Sequence, residues 1–253
     1  MLKIIISGCS GHMGRVVWDL CSSDPDVEVV AGFDILGQSD HLPVFSNPTH
    51  CDISADCVID FSHPAALDGL LTYGQTRQVP LVLATTGYSN QQLEQIDKAA
   101  ASIPIFRSAN MSLGINVLIS LIKSASAALG SGYDVEIVER HHRRKVDAPS
   151  GTALMLADAV ASVLPYEAEY TYDRHSVRKP REAREIGISA VRGGTIVGDH
   201  TVIFAGRDEV IEISHHAASR EIFANGALAA AKYLSGVCSP GLYDMSMLVN
   251  SKQ

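Results

Sequence analysis

A short run rich in β-branched residues, 2–7, ends in Gly8-Cys9-Ser10-Gly11-His12-Met13-Gly14 and passes straight into a helical pattern over 12–22. No other feature limits the fold of this chain as much. Glycines in a strand-to-helix turn permit tight turning and let a pyrophosphate approach the backbone at a helix N-terminus. A second strand-like run, 27–34, ends in Asp34, 20 residues after Gly14. A dinucleotide fold places an acid there to hydrogen-bond the adenine ribose hydroxyls. Strand, glycine loop, helix, strand and acid therefore occur in the order such a site requires, and residues 8–14 with Asp34 are its expected contacts. Cys9 also has a plainer reading, as a small residue filling a tight turn. After Asp34 come Ile35, Leu36 and Gly37, with no cation to neutralise a 2′-phosphate. That predicts NADH as the preferred cofactor, with NADPH possible.

The strand and helix rhythm continues. Strands are expected at 57–61, 80–84 and 103–106, with helices at 64–77 and from a cap at Ser89 to about 101. Such alternation implies a parallel sheet covered by helices on both faces. Ligands of such sheets bind beyond the carboxyl ends of the strands. Ala84, Thr85 and Thr86, and Ser108, Ala109, Asn110 and Met111, are thus further cofactor candidates, against the plainer reading of ordinary turn chemistry. Phe61-Ser62 is a weaker candidate of the same kind.

The pattern changes after about residue 111. An apolar helix (115–129), a strand (133–139), a helix (151–163) and a charged loop (165–184) lead to strand-like runs at 187–191, 201–205 and 209–214. Closely spaced strands suggest an antiparallel or mixed sheet. The expected architecture is α/β: a Rossmann-type parallel-sheet dinucleotide-binding domain plus an α+β substrate and oligomerisation domain with a mixed sheet. Residues 1–111 form the first domain and 112–217 the second. A helix at 220–234 is expected to bring 218–253 back to the first.

The second domain carries the run Glu139-Arg140-His141-His142-Arg143-Arg144-Lys145-Val146-Asp147-Ala148-Pro149-Ser150-Gly151-Thr152. Two histidines and four cationic side chains stand beside a helix start, in a chain of net charge -8. Local basicity in an acidic chain argues against a nucleic-acid binder, which is usually basic throughout. Cations beside a helix N-terminus hold anions, and histidine and lysine move protons. Together they suggest a catalytic site for a small acidic substrate. Five cysteines, none in CxxC spacing, fit reduced thiols in a cytoplasmic protein. No apolar run is expected to approach the ~20 residues of a membrane span, no signal peptide is expected at the N-terminus, and no metal-ligand spacing is evident.

These motifs together resemble the 4-hydroxy-tetrahydrodipicolinate reductase family over nearly the whole chain. The most specific match is 139–152. Supporting matches are 8–14, Thr85-Thr86-Gly87, Asn110-Met111-Ser112, residues 192–200, Ile213 through Arg220, and 223–228. The resemblance implies a homotetramer assembled through the sheets of the substrate domains. It also implies NADH- or NADPH-dependent reduction of a cyclic dicarboxylate to tetrahydrodipicolinate in lysine and diaminopimelate biosynthesis. Carried over by motif, His141 is the proton donor, Lys145 its cationic partner and His142 a substrate contact. Gly151 and Thr152 hold a substrate carboxylate. Departures are Ser10 and Ala84 where glycine is usual, Ser108 where proline or another small residue is common, and His216 where lysine is familiar. Rival readings are a dehydrogenase of another small acid and a dinucleotide sensor without turnover.

Overall fold

The computed structural model of the protein describes residues 1–37, 42–172, 174–176, 178–237 and 239–251. The chain divides into two compact units, Met1–Leu113 with Glu221–Gln253, and Gly114–Arg220. Cys238 lies outside the described residues, and the other four cysteines are free thiols.

The first unit is built on a parallel sheet of β1 (Leu2–Ser7), β2 (Val27–Phe33), β3 (Val44–Phe45), β4 (Cys57–Asp60), β5 (Leu81–Leu83), β6 (Pro104–Arg107) and β12 (Gly241–Tyr243). Their spatial order is β12-β6-β5-β4-β1-β2-β3. Strand β1 is buried on both faces from Ile4 onward, which is why residues 4–6 read as unbroken isoleucine rather than alternating. Ile4 and Ile6 join Ile59, Val82 and Phe106 beneath helices α1 (His12–Ser22) and α6 (Glu221–Ser235). Ile5 joins Val58, Leu81 and Ile105 beneath α2 (Leu67–Arg77) and α3 (Asn90–Ala100). Each such large side chain contributes about 1.5–3 kcal/mol by leaving water. Helix α3 starts at Ser89 as expected, with a reciprocal capping box between Ser89 and Gln92. Helix α6 comes close because residue 226 is glycine: a Cβ there would lie 1.6 Å from the Met111 carbonyl oxygen.

The second unit holds a mixed sheet of β7 (Asp134–His141), β8 (Glu169–Thr171), β9 (Glu185–Arg192), β10 (Gly198–Ala205) and β11 (Val210–Ala217). The order is β11-β10-β7-β9-β8, antiparallel across β10 and parallel elsewhere. Helices α4 (Leu113–Leu129) and α5 (Gly151–Ala161) supply Ile115, Leu118, Ile122, Leu156 and Val160 to a core with Val135, Ile137, Ile188 and Phe204. By alternation along the strands, Val138, Val191, Thr201, Ile203 and His216 lie on the opposite face.

The structure extends or corrects several expectations. Residues 64–66 are a 3₁₀ turn before α2. The helix expected over 151–163 ends at Ala161. Strands β3, β8 and β12 and a short helix α7 (Met245–Asn250) were not expected from the sequence. Residues Leu113–Gly132 are, by length and composition alone, apolar enough to cross a membrane, contrary to the expectation that no run approaches that length. Serines and Lys123 break the apolar run in the sequence, which hid it.

Candidate active site

In the first unit the glycine loop is shaped by its own backbone. Gly8 has φ +77°, a left-handed conformation that favours glycine. A Cβ on Gly8 would lie 2.8 Å from the Phe61 carbonyl oxygen, and one on Gly14 only 2.1 Å from the Gly8 carbonyl oxygen. Gly11 at the N-cap of α1 has no side chain with which to cap the first-turn N–H groups. Such a cradle fits a pyrophosphate. Asp34 binds the loop directly: its Oδ2 accepts from the Ser10 N–H at 3.0 Å, and its Oδ1 from the Leu36 N–H at 2.9 Å. Beside it lies a cleft of 390 Å³ bordered by Gly8, Gly11, Asp34, Ile35, Ser62 and His63. Its walls are mostly apolar, as an adenosine requires.

The other sequence candidates divide by burial. His12 is exposed at the start of α1, and Met13 packs on the core. Cys9 leans over β2, where a Cβ on Gly32 would lie 2.5 Å from its Sγ. Burial raises the pKa of this thiol, which favours the plain packing reading. Ala84 is buried, and Thr86 and Ala109 are exposed. The Thr85 hydroxyl is buried without a hydrogen-bond partner among the described residues. Ser108 Oγ donates to the Asn110 carbonyl, and Asn110 Oδ1 accepts from the Ser112 N–H. Met111 is 3% exposed and belongs to the hydrophobic core, so it can offer a ligand only its backbone. Sequence reasoning missed Ser46, Pro48, His63 and Ala65 of the cleft. They stand in loops after β3 and β4, and only their position beyond strand ends could have marked them.

In the second unit the basic run begins inside a strand. Alternation along β7 turns Val135, Ile137, Glu139 and His141 to the covered face. Glu139 is 0% exposed. Its Oε2 lies 2.7 Å from His141 Nδ1, and its Oε1 accepts from the Ser150 N–H at 3.0 Å. Arg192, on β9 beside His141, grips both oxygens with Nη1 and Nη2 at 2.7 Å each. Burial alone would raise the Glu139 pKa, but the bonds from Arg192, His141 and Ser150 hold it below the usual carboxylate range. Glu139 and Arg192 were not singled out from the sequence. A charged residue at an inward position of an alternating strand was the signal for Glu139.

Ser150 Oγ caps α5 by accepting from the Ala153 N–H at 3.2 Å, and lies 3.1 Å from His200 Nε2. The rings of His200 and His141 meet edge to face at 5.2 Å. Burial, then the nearby His141, push the His200 pKa down to about 4, so His200 is neutral at pH 7. The Ser150 hydroxyl accepts from Ala153 and pairs with His200 Nε2, the His200 tautomer setting which of the two donates. Gly151 is exposed at the start of α5, with nothing within 4 Å of where a Cβ would stand. Thr152 is half-buried in the same turn. Lys145 Nζ pairs with Asp147 Oδ1 at 2.9 Å, and that bond holds the Asp147 carboxyl below its usual range. His142 is half-buried, and burial followed by the charges of Arg220 and Arg144 lowers its pKa. Arg143 and Arg144 are exposed. His141 ends β7, with His142 and Lys145 following it in the chain, and Glu139 joins His141 to the Ser150 N–H at the start of α5.

Family models described as the N-terminus and the C-terminus of dihydrodipicolinate reductase match residues 2–111 and 114–249. A 4-hydroxy-tetrahydrodipicolinate reductase of Caldanaerobacter subterraneus subsp. tengcongensis is 55% identical over 98% of this chain and 98% of its own length. One from Clostridium novyi is 48% identical over 100% of both chains. Among solved structures, a dipicolinate-bound dihydrodipicolinate reductase from Paenisporosarcina sp. TG-14 superposes with a TM-score of 0.82 at 24% identity, covering 96% of this chain and 97% of its own. A diaminopimelate dehydrogenase of C. glutamicum shares the fold at a TM-score of 0.58 and 16% identity, over 98% of this chain and 95% of its own.

Proposed function

This chain belongs to the dihydrodipicolinate reductase family and reduces 4-hydroxy-tetrahydrodipicolinate with a nicotinamide dinucleotide, and we propose that His141 supplies the proton and Lys145 its cationic partner. The reaction is a step of lysine and diaminopimelate biosynthesis, and the rival reading as a dehydrogenase of another small acid is not favoured. The observation that carries the residue assignment is the buried Glu139–His141 contact of 2.7 Å beside the capped start of α5.

Reduction replaces a hydroxyl-bearing centre with a hydrogen-bearing one: a hydride and a proton enter and water leaves. The bound dinucleotide supplies the hydride. Loss of the hydroxyl and a proton from the neighbouring carbon, as water, gives a conjugated C=N–C=C system, and addition of hydride to it leaves an electron-rich, enamine-like carbon that must be protonated. His141 is placed to give that proton. Lys145, Gly151 and Thr152 hold the substrate carboxylates through a point charge, a close backbone approach and a hydroxyl, and His142 adds a contact. These anchors orient the ring for transfer.

Residues 8–14 cradle the pyrophosphate, and Asp34 takes the ribose hydroxyls. Ala84, Thr85 and Thr86, with Ser108, Ala109, Asn110 and the Met111 backbone, line the nicotinamide end. The Asp34 carboxylate repels a 2′-phosphate, and its exposed neighbours Ile35 and Leu36 offer no counter-charge. NADH is therefore the preferred cofactor and NADPH the weaker one. The second unit assembles the protein as a homotetramer through the sheet face that bears Val138, Val191 and Ile203.

The test is oxidation of NADH and NADPH in parallel, with substrate made in situ by a dihydrodipicolinate synthase from pyruvate and aspartate semialdehyde. Synthase-dependent oxidation, faster with NADH, is expected. Faster oxidation of NADPH would overturn the Asp34 argument. No oxidation by protein shown to bind NADH would overturn the reaction.

A further inference from the structure

We infer that Glu139, locked by Arg192, is the positioning residue that fixes the tautomer of His141 and keeps its Nε2 as the atom that gives the proton; this rests on the reading of His141 as the donor. A carboxylate with no exposure to solvent persists only if it is paired and its lone pairs are filled. Glu139 meets both conditions through His141 Nδ1, the Ser150 N–H and the two-pronged Arg192 contact. The Arg192 fork fixes the plane of the carboxylate, and its Nη2 also donates to the Asp147 carbonyl at 2.6 Å, tying it to the loop that carries Lys145. An ionised carboxylate can only accept. His141 Nδ1 must therefore carry a hydrogen.

The consequence falls on the far side of the ring. In the charged imidazole both nitrogens carry hydrogen, and the contact to Glu139 takes up only the one on Nδ1. Gly198 of β10 keeps the approach open, since a Cβ there would lie 3.0 Å from Nε2. When the Nε2–H bond breaks, its electron pair stays on Nε2 and the proton forms a C–H bond at the electron-rich substrate carbon. The neutral ring is left with its hydrogen on Nδ1, still bonded to Glu139. Glu139 is fully buried and has no surface to offer a substrate. Glu139 and Arg192 both act through His141.

Full-length protein labelled with ¹⁵N-histidine reports the tautomer in a ring nitrogen–proton spectrum, with the His141 signals identified by their loss in His141→Gln. The wild type in alkaline buffer is expected to show neutral His141 with its hydrogen on Nδ1. Glu139→Gln should lower kcat by roughly 10²–10⁴-fold, the weight of a positioned acid, with amide replacement of a histidine-orienting carboxylate at the upper end. KM for substrate and dinucleotide should change less than about two-fold, since differential effects on kcat mark groups used in the chemical step. Arg192→Lys, which keeps the carboxylate–imidazole contact, should retain the Nδ1–H form with a smaller loss. A wild-type His141 bearing its hydrogen on Nε2, or a folded Glu139→Gln with kcat within about three-fold of wild type, overturns the inference. If Glu139→Gln fails to fold, the wild-type spectrum alone decides. Full turnover in His141→Gln would instead overturn the donor assignment.

Discussion

Lys145 and His141 are held in different ways, and the difference sets what their removal should do. The lysine ammonium is part-exposed and shares its charge with Asp147 in a surface turn. The histidine is 9% exposed and braced from behind by a buried carboxylate. His141→Ala and Lys145→Ala should each lower turnover by roughly 10²–10⁴-fold, the weight of a positioned acid or its charge partner. Steady-state NADH oxidation measures this, and near-normal rates in both variants would remove the pair from the chemistry. The lysine change should leave thermal stability nearly intact, because an ion pair this exposed contributes little. The glycine loop and the His-His-Arg-Arg-Lys run were legible in the sequence because each is a contiguous motif, and Asp34 because it ends the second strand-like run. Arg192 was not legible in the same way. It lies 53 positions from Glu139 and meets it only because β7 and β9 pair in parallel.

Elements were legible where a period or a cap was long enough to read. Helix α3 is legible through Ser89, and the β-branched run 4–6, closed by the glycine loop, marks β1 with its bounds. Strand β7 was cut two residues short, because Arg140-His141 reads as the start of a charged loop when the inward Glu139 and His141 are not recognised. Strands β3, β8 and β12, of two or three residues, carry no period at all, and backbone pairing with a longer neighbour is what creates them. Helix α6 depends on a single missing side chain. Gly226→Ala would force a methyl to 1.6 Å from the Met111 carbonyl oxygen, which is backbone and cannot swing aside. The expected cost is about 1–3 kcal/mol or more, read as a lower urea midpoint. An unchanged midpoint would mean that α6 can slide without penalty.

At the scale of the whole molecule, the sheet face of the second unit bears Val191, 46% exposed, and Val210, 58% exposed, beside the half-buried Val138 and Ile203. An apolar strip of this kind is what a self-associating sheet presents. If the proposed tetramer forms through this face, the combined change Val191→Glu and Ile203→Glu should give smaller species than the wild type in light scattering, with far-ultraviolet dichroism and NADH binding retained. A wild type that is monomeric would overturn the assembly. The first unit has a property of another kind, because its chain is interrupted. Helix α6 and strand β12 belong to the same core and sheet as β1, yet the whole of the second unit lies between them in sequence. A ribosome releases the chain from its amino end, and domains tend to fold in the order they emerge. Ile4, Ile6, Ile59 and Val82 therefore leave the exit tunnel long before Ala224, Ala227 and Ala231 arrive to cover them. During translation the nucleotide-binding sheet waits with one side incompletely roofed, while the unit that emerges second already has all its strands and can close first.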